Sequence, residues 1–132
     1  MPIMEWQETF RIDIELFDDH HQQLVELLNS TYDKLAKGLS AEEIATVLDA
    51  LVEYADYHFE AEEQWMLANS YPYLGMHVSE HAGFRANVAE MRSNYGEGKE
   101  TILAILNFLV DWLSKHILIT DADLGRFSRL KI

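Results

Sequence analysis

The sequence predicts an all-α protein, an antiparallel up-down four-helix bundle with an N-terminal arm and a short C-terminal tail. Three observations carry that prediction. Apolar residues recur three and four positions apart through four long segments. Short, turn-rich stretches join those segments and so place consecutive helices side by side. No β-type alternation competes with the helical period. The chain has 132 residues, 48% of them hydrophobic, which suits one domain with a real core.

Residues 1–17 mix Trp6, Phe10, Ile12, Ile14, Leu16 and Phe17 with polar residues and hold no sustained helical period. They read as an ordered arm that packs its aromatics on the body. Helix A is expected from Asp18, its cap, through Leu24, Leu27, Leu28, Tyr32 and Leu35 to Lys37-Gly38. Ser40 followed by Glu43 is a capping box that opens helix B. Along B, the residues Ile44, Val47, Leu48, Leu51, Tyr54, Ala55 and His58 share one broad face, and the helix should run to about Ala68. Asn69-Ser70-Tyr71-Pro72 breaks it. Helix C then carries His77, His81, Phe84, Val88 and Met91 before Tyr95-Gly96-Glu97-Gly98, and helix D carries Ile102, Ile105, Leu106, Leu109, Trp112, Leu113 and His116 to an end near Thr120. Residues 121–132, with Gly125, form a tail with room for a further turn or two. The bundle thus occupies 18–120 of a single domain spanning 1–132.

Composition excludes several classes of function. The chain has no cysteine, hence no disulfide framework, thiolate site or zinc ribbon. With 10 Lys and Arg against 23 Asp and Glu, the net charge of −13 repels nucleic acid and anionic lipid. The N-terminal MPIMEWQETF lacks a basic start followed by an apolar run, and no stretch reads as the roughly 18 apolar residues of a membrane span. A soluble, unprocessed cytoplasmic chain without membrane insertion is expected.

Five of the six histidines fall into a spaced set with two carboxylates: His21, His58 with Glu62, His77 with His81, and His116 with Asp121. A spacing of four puts both members of a pair on one helical face, a turn apart, which is how a helix presents two metal ligands. Imidazole with carboxylate suits iron, manganese, zinc or copper. Each of the four helices brings at least one ligand to a common core. Seven ligands exceed what one first-row ion normally takes, which argues for two ions. If the imidazoles divide three and two and both carboxylates bridge, the ions receive five and four protein ligands. A bridging oxide or hydroxide raises these to six and five and leaves one vacancy, suited to a small neutral molecule such as dioxygen.

Two assignments need a choice. His21 precedes Leu24 by three and Leu28 by seven, whereas its neighbour His20 is turned about 100° away. Asp121 lies five after His116, about 140° round an ideal helix, and reaches the same centre only if helix D ends or tightens there. Asp123 is the runner-up. Glu60 and Glu63 turn away from His58, which leaves Glu62.

Trp6, Asp18-Asp19-His20-His21, His58-Phe59-Glu60-Ala61-Glu62-Glu63 through Met66, Tyr71-Pro72, His77-Val78-Ser79-Glu80-His81, and His116 through Asp121 together resemble the hemerythrins, the bacterial branch in particular. The resemblance spans nearly the whole chain. It implies a non-haem di-iron protein that binds dioxygen reversibly and stores it, or delivers it to an oxygen-consuming protein, without catalytic turnover. It places His77, His81 and His116 on one iron, His21 and His58 on the oxygen-binding iron, and Glu62 and Asp121 as bridges, deciding for Asp121 on family spacing. The oxygen pocket would be walled by Leu24, Trp112, Leu113 and Ile117; helical geometry independently aims the first three near the ligands. The position before the first ligand, often glutamine in that family, is His20 here. The competing readings are a module sensing oxygen, nitric oxide or iron through a partner, and a di-iron oxidase or peroxidase. Bundle oxidases typically use Glu-x-x-His motifs, and this chain has none.

Overall fold

The computed structural model describes residues 3–38, 40–95 and 99–130, and every regular element among them is helical. After a 3-10 turn at Glu8–Phe10 come α1 (Glu15–Ala36), α2 (Ala41–Ala68), α3 (Leu74–Tyr95), α4 (Lys99–Lys115), a π turn at His116–Asp121 and α5 (Ala122–Leu130). The four long helices form the antiparallel bundle. Each packs on its neighbours in chain order, and α1 also packs on α4 to close the ring. The side chains of Ile44 and Val47, and the Gly96-Glu97-Gly98 break, lie outside the described residues.

Local chemistry sets the helix ends. At α2 the Glu43 amide donates to Ser40 Oγ at 3.1 Å, and the Ser40 amide donates to Glu43 Oε1 at 3.3 Å. That is the expected capping box. Helix α1 starts at Glu15, earlier than expected, and its boundary residue is Ile14. Asp18 does not cap it; the carboxylate reaches back and accepts from the amides of Ile12 (2.7 Å) and Asp13 (3.1 Å). Those contacts hold the end of the arm, where Asp13 takes a positive φ of 66°. Farther out, the Met4 amide donates to Asn29 Oδ1 at 3.0 Å and Asn29 Nδ2 donates to the Met4 carbonyl at 2.8 Å, fastening the arm to α1.

The C-terminal end departs most from expectation. Helix D does not stop near Thr120; it widens into the π turn and continues as α5. Residues Ile102–Leu130 are therefore long and apolar enough to cross a membrane by length and mean hydropathy alone. In the fold, Ile105, Leu106, Leu109, Leu113 and Ile117 from that stretch are buried in the bundle core. Gly125 lies where an added Cβ would sit 2.3 Å from the Ile12 carbonyl oxygen, and Arg129 donates to Asp13 at 3.1 Å. A glycine is what lets α5 approach the arm so closely.

Two apolar clusters result. The larger joins Leu24, Leu28, Leu48, Leu51, Phe59, Phe84, Val88 and the α4 residues; the smaller joins Ile12, Phe17, Met66, Tyr71 and Leu124. On every helix the chemistry-bearing residues fall near the junction of the two. His21 follows Phe17 and precedes Leu24, Glu62 lies between Phe59 and Met66, His77 lies between Tyr71 and Phe84, and Asp121 precedes Leu124. A polar layer is thus sealed by hydrocarbon on both sides.

Candidate metal centre

Four helices aim seven side chains at one spot, and all seven are buried, none more than 3% exposed. The two carboxylates sort them. Asp121 Oδ1 lies 3.0 Å from His77 Nε2 and 3.3 Å from His116 Nε2, while Glu62 Oε1 lies 3.2 Å from His81 Nε2 and 3.4 Å from His77 Nε2. The other oxygens face the other way: Asp121 Oδ2 lies 3.1 Å from His21 Nε2, and Glu62 Oε2 lies 3.5 Å from His58 Nε2. One oxygen of each carboxylate therefore serves a group of three imidazoles and the second serves a group of two.

Several features fit a cation at each group. Among the described residues, none of the four carboxylate oxygens has a hydrogen-bond partner. Buried ionised carboxylates left so are expensive unless something positive lies among them. His116 Nδ1–H donates to Glu80 Oε1 at 2.9 Å, and His81 Nδ1–H donates to Glu63 Oε2 at 2.8 Å. In the neutral imidazoles that leaves bare lone pairs on Nε2, and these two face each other at 3.2 Å. His77 and His116 Nε2 are also 3.2 Å apart, and His21 and His58 Nε2 are 3.0 Å apart. Ligand atoms about 2.1 Å from a first-row ion and at right angles to one another stand about 3 Å apart. Glu62, His77, His81 and His116 form one group that could hold an ion, and His21, His58, Glu62 and Asp121 form another.

Protons answer the same electrostatics when no cation does. Burial alone would lower the pKa of His77, but the Asp121 and Glu62 carboxylates, 3.0 and 3.4 Å from its Nε2, outweigh it and push it up to about 9. His116 rises for similar reasons, its burial outweighed by Asp121, Glu62 and Glu80. Glu62 is held well below the usual carboxylate range: burial opposes this, and the facing imidazoles of His58, His116 and His77 overcome it. Asp121 is likewise held low, against burial and the charge of Glu62, by His116 and His21.

The π turn explains how Asp121 arrives. Residues five apart diverge on an α-helix, but a turn closed at i+5 stacks them. The helix widens there, where the sequence reading had it end or tighten. His20 and His21 are both buried, and they divide the work. His21 Nε2 meets the carboxylates, whereas His20 Nδ1 meets His58 Nδ1 at 2.8 Å. Trp112 stacks flat on His116, with centroids 4.3 Å apart at 14°, and also touches Phe59 and Phe84, so it lies on the three-histidine side. Leu24, Leu113 and Ile117 are buried in the larger apolar cluster.

Sequence reasoning missed Glu63 and Glu80. Glu63 does turn away from His58, but it turns toward His81 on α3. A signal existed: each imidazole bound through Nε2 has an Nδ1–H that needs an acceptor in a buried site. His21 and His77 Nδ1 lack one among the described residues.

The family model described as the hemerythrin HHE cation binding domain matches residues 12–127. A bacteriohemerythrin of Clostridium acetobutylicum is 30% identical over 89% of this chain and 95% of its own length. One from Methylococcus capsulatus is 30% identical over 89% of this chain and 90% of its own, and one from Pseudomonas aeruginosa is 30% identical over 92% and 79%. With a match that runs from the arm into α5 and takes in every helix of the imidazole–carboxylate layer, the chain belongs to the hemerythrin HHE cation-binding family.

Proposed function

We propose that this protein binds dioxygen reversibly at a di-iron centre held by His21, His58, Glu62, His77, His81, His116 and Asp121. The observation that carries the reading is the sorting of carboxylate oxygens, one of each pair toward three imidazoles and the other toward two. That sorting gives one position five protein ligands and the other four, so the His21–His58 position is the one with room for a guest. Iron there would supply the electrons and the open coordination position that reversible dioxygen binding needs.

The protein's own part is to hold the ligands and keep water out. Five imidazoles and only two carboxylates as direct ligands put few anionic oxygens on the ions themselves, which favours reversible binding over the high-valent states an oxidase requires. The buried leucines Leu24 and Leu113, with Ile117, supply a hydrocarbon wall beside the ligands. A neutral diatomic molecule loses little on leaving water for such surroundings, whereas water entering them loses hydrogen bonds. Storage of dioxygen, or its delivery to an oxygen-consuming protein, follows as the role.

The test is metal content per chain, with the visible spectrum of the anaerobically reduced protein before air, after air and after vacuum. Two irons and a charge-transfer band that appears in oxygen and disappears under vacuum are expected. Irreversible oxidation would instead favour an enzyme or a sensor, and a single zinc would overturn the di-iron reading.

A further inference from the structure

We propose that Glu63 and Glu80 are positioning residues that make the two metal positions unequal, so that the three-histidine position fills first. This rests on the two-metal reading above. The partners of the ligand imidazoles differ on the two sides. Two of the three histidines in the larger group donate Nδ1–H to carboxylates, His81 to Glu63 at 2.8 Å and His116 to Glu80 at 2.9 Å. Thr120 Oγ1 donates to both oxygens of Glu80, at 2.8 and 2.9 Å, and fixes its orientation. In the smaller group His58 Nδ1 meets the imidazole of His20, which brings no negative charge, and His21 Nδ1 has no partner among the described residues.

A carboxylate behind an imidazole fixes the tautomer, locks the ring and raises the basicity of the nitrogen that faces the metal. It also adds charge. Glu62 and Asp121 are shared between the positions, so they do not distinguish them. Glu63 and Glu80 bring the negative charges around the centre to four, which balances two divalent ions, and both additions lie on one side. The ring faces add to the asymmetry: Phe59 stacks on His81 at 4.1 Å and 12°, and Trp112 stacks on His116. The three-histidine position is therefore the more rigid, more basic and more anionic of the two.

Metal-free protein titrated with cobalt(II), followed by calorimetry and the cobalt absorption bands, tests this. Wild type should take up two ions in two resolved steps. Glu63→Gln and Glu80→Gln keep an acceptor for Nδ1–H and lose the charge; each should weaken the first step about tenfold. Glu80→Ala loses both and should weaken it up to about a hundredfold. In all three the second step should stay within about threefold of wild type, while His20→Ala should weaken the second step alone. Circular dichroism confirms that each variant is folded. Two ions bound with equal losses in both steps, or with no loss in either, would overturn the proposal. Fewer than two ions in the wild type would overturn the two-metal reading itself.

Discussion

Truncating Leu113 separates the wall of the site from the core at large. Leu113 is 2% exposed, sits in the larger apolar cluster and precedes His116 by one helical turn. Leu113→Ala removes about three methylene equivalents, or ~2.4 kcal/mol of transfer free energy, before any cavity is counted. With the cavity the loss should be about 3 kcal/mol, within the roughly 2–5 kcal/mol typical of such changes. At about 4 °C per kcal/mol for a domain of this size, Tm should fall about 12 °C. The control is Leu48→Ala, at 1% exposure in the same cluster. It lies ten residues before His58, about 15 Å along α2. Both variants should lose similar stability and retain two metals. They should part in autoxidation, read as irreversible loss of the oxygenated band in air at a temperature well below either Tm. Water admitted beside the ligands should speed Leu113→Ala about tenfold, equivalent to ~1.4 kcal/mol on the barrier, and leave Leu48→Ala unchanged. Wild-type autoxidation in Leu113→Ala, alongside the expected loss of Tm, would refute its place in the wall.

Three further outcomes are expected. With its pKa raised from 6.5 to about 9, protonated His77 stabilises the metal-free fold fully below pH 6.5, and that contribution is lost as pH rises through 9. A divalent ion must displace that proton, so the Tm gained on adding cobalt(II) should grow from pH 6.5 to 9; a gain that shrinks would contradict the assignment. Deleting Ile119, 64% exposed in the π turn, places Asp121 four residues after His116, the offset of His58 and Glu62. The shortened turn should close as α-helix, leave α5 in register and retain two metals, and loss of either ion would show that the wider turn is required. Gly125→Ala should cost about 1–3 kcal/mol in a thermal melt, because the new Cβ overlaps the Ile12 carbonyl. An unchanged Tm would mean that arm and α5 separate freely.

Much of the site was legible because its key relations lie within single helices. The four-residue offsets of His58 with Glu62 and of His77 with His81 are fixed by the helical period, and both pairs converge in the fold. That His21, rather than His20, faces the carboxylates accords with its spacing to Leu24 and Leu28. The boundaries that failed were those with non-local causes. Asp18 looks like a helix cap in sequence, yet its partners are the amides of Ile12 and Asp13, and the helix begins before it. Thr120 looks like an end because a regular helix would misplace Asp121, yet the chain stays helical by widening.

By itself the sequence determined four long helices and a set of imidazoles and carboxylates at helical spacing along them, since helical period and apolar spacing are properties of neighbouring residues. Tertiary structure decided which oxygen of Glu62 and Asp121 faces which histidines, that Glu63 and Glu80 stand behind His81 and His116, and that Phe59 of α2 stacks on His81 of α3. Those relations depend on how far each helix is rotated about its own axis and shifted against the others. Packing of the whole core sets that rotation, and no local pattern encodes it.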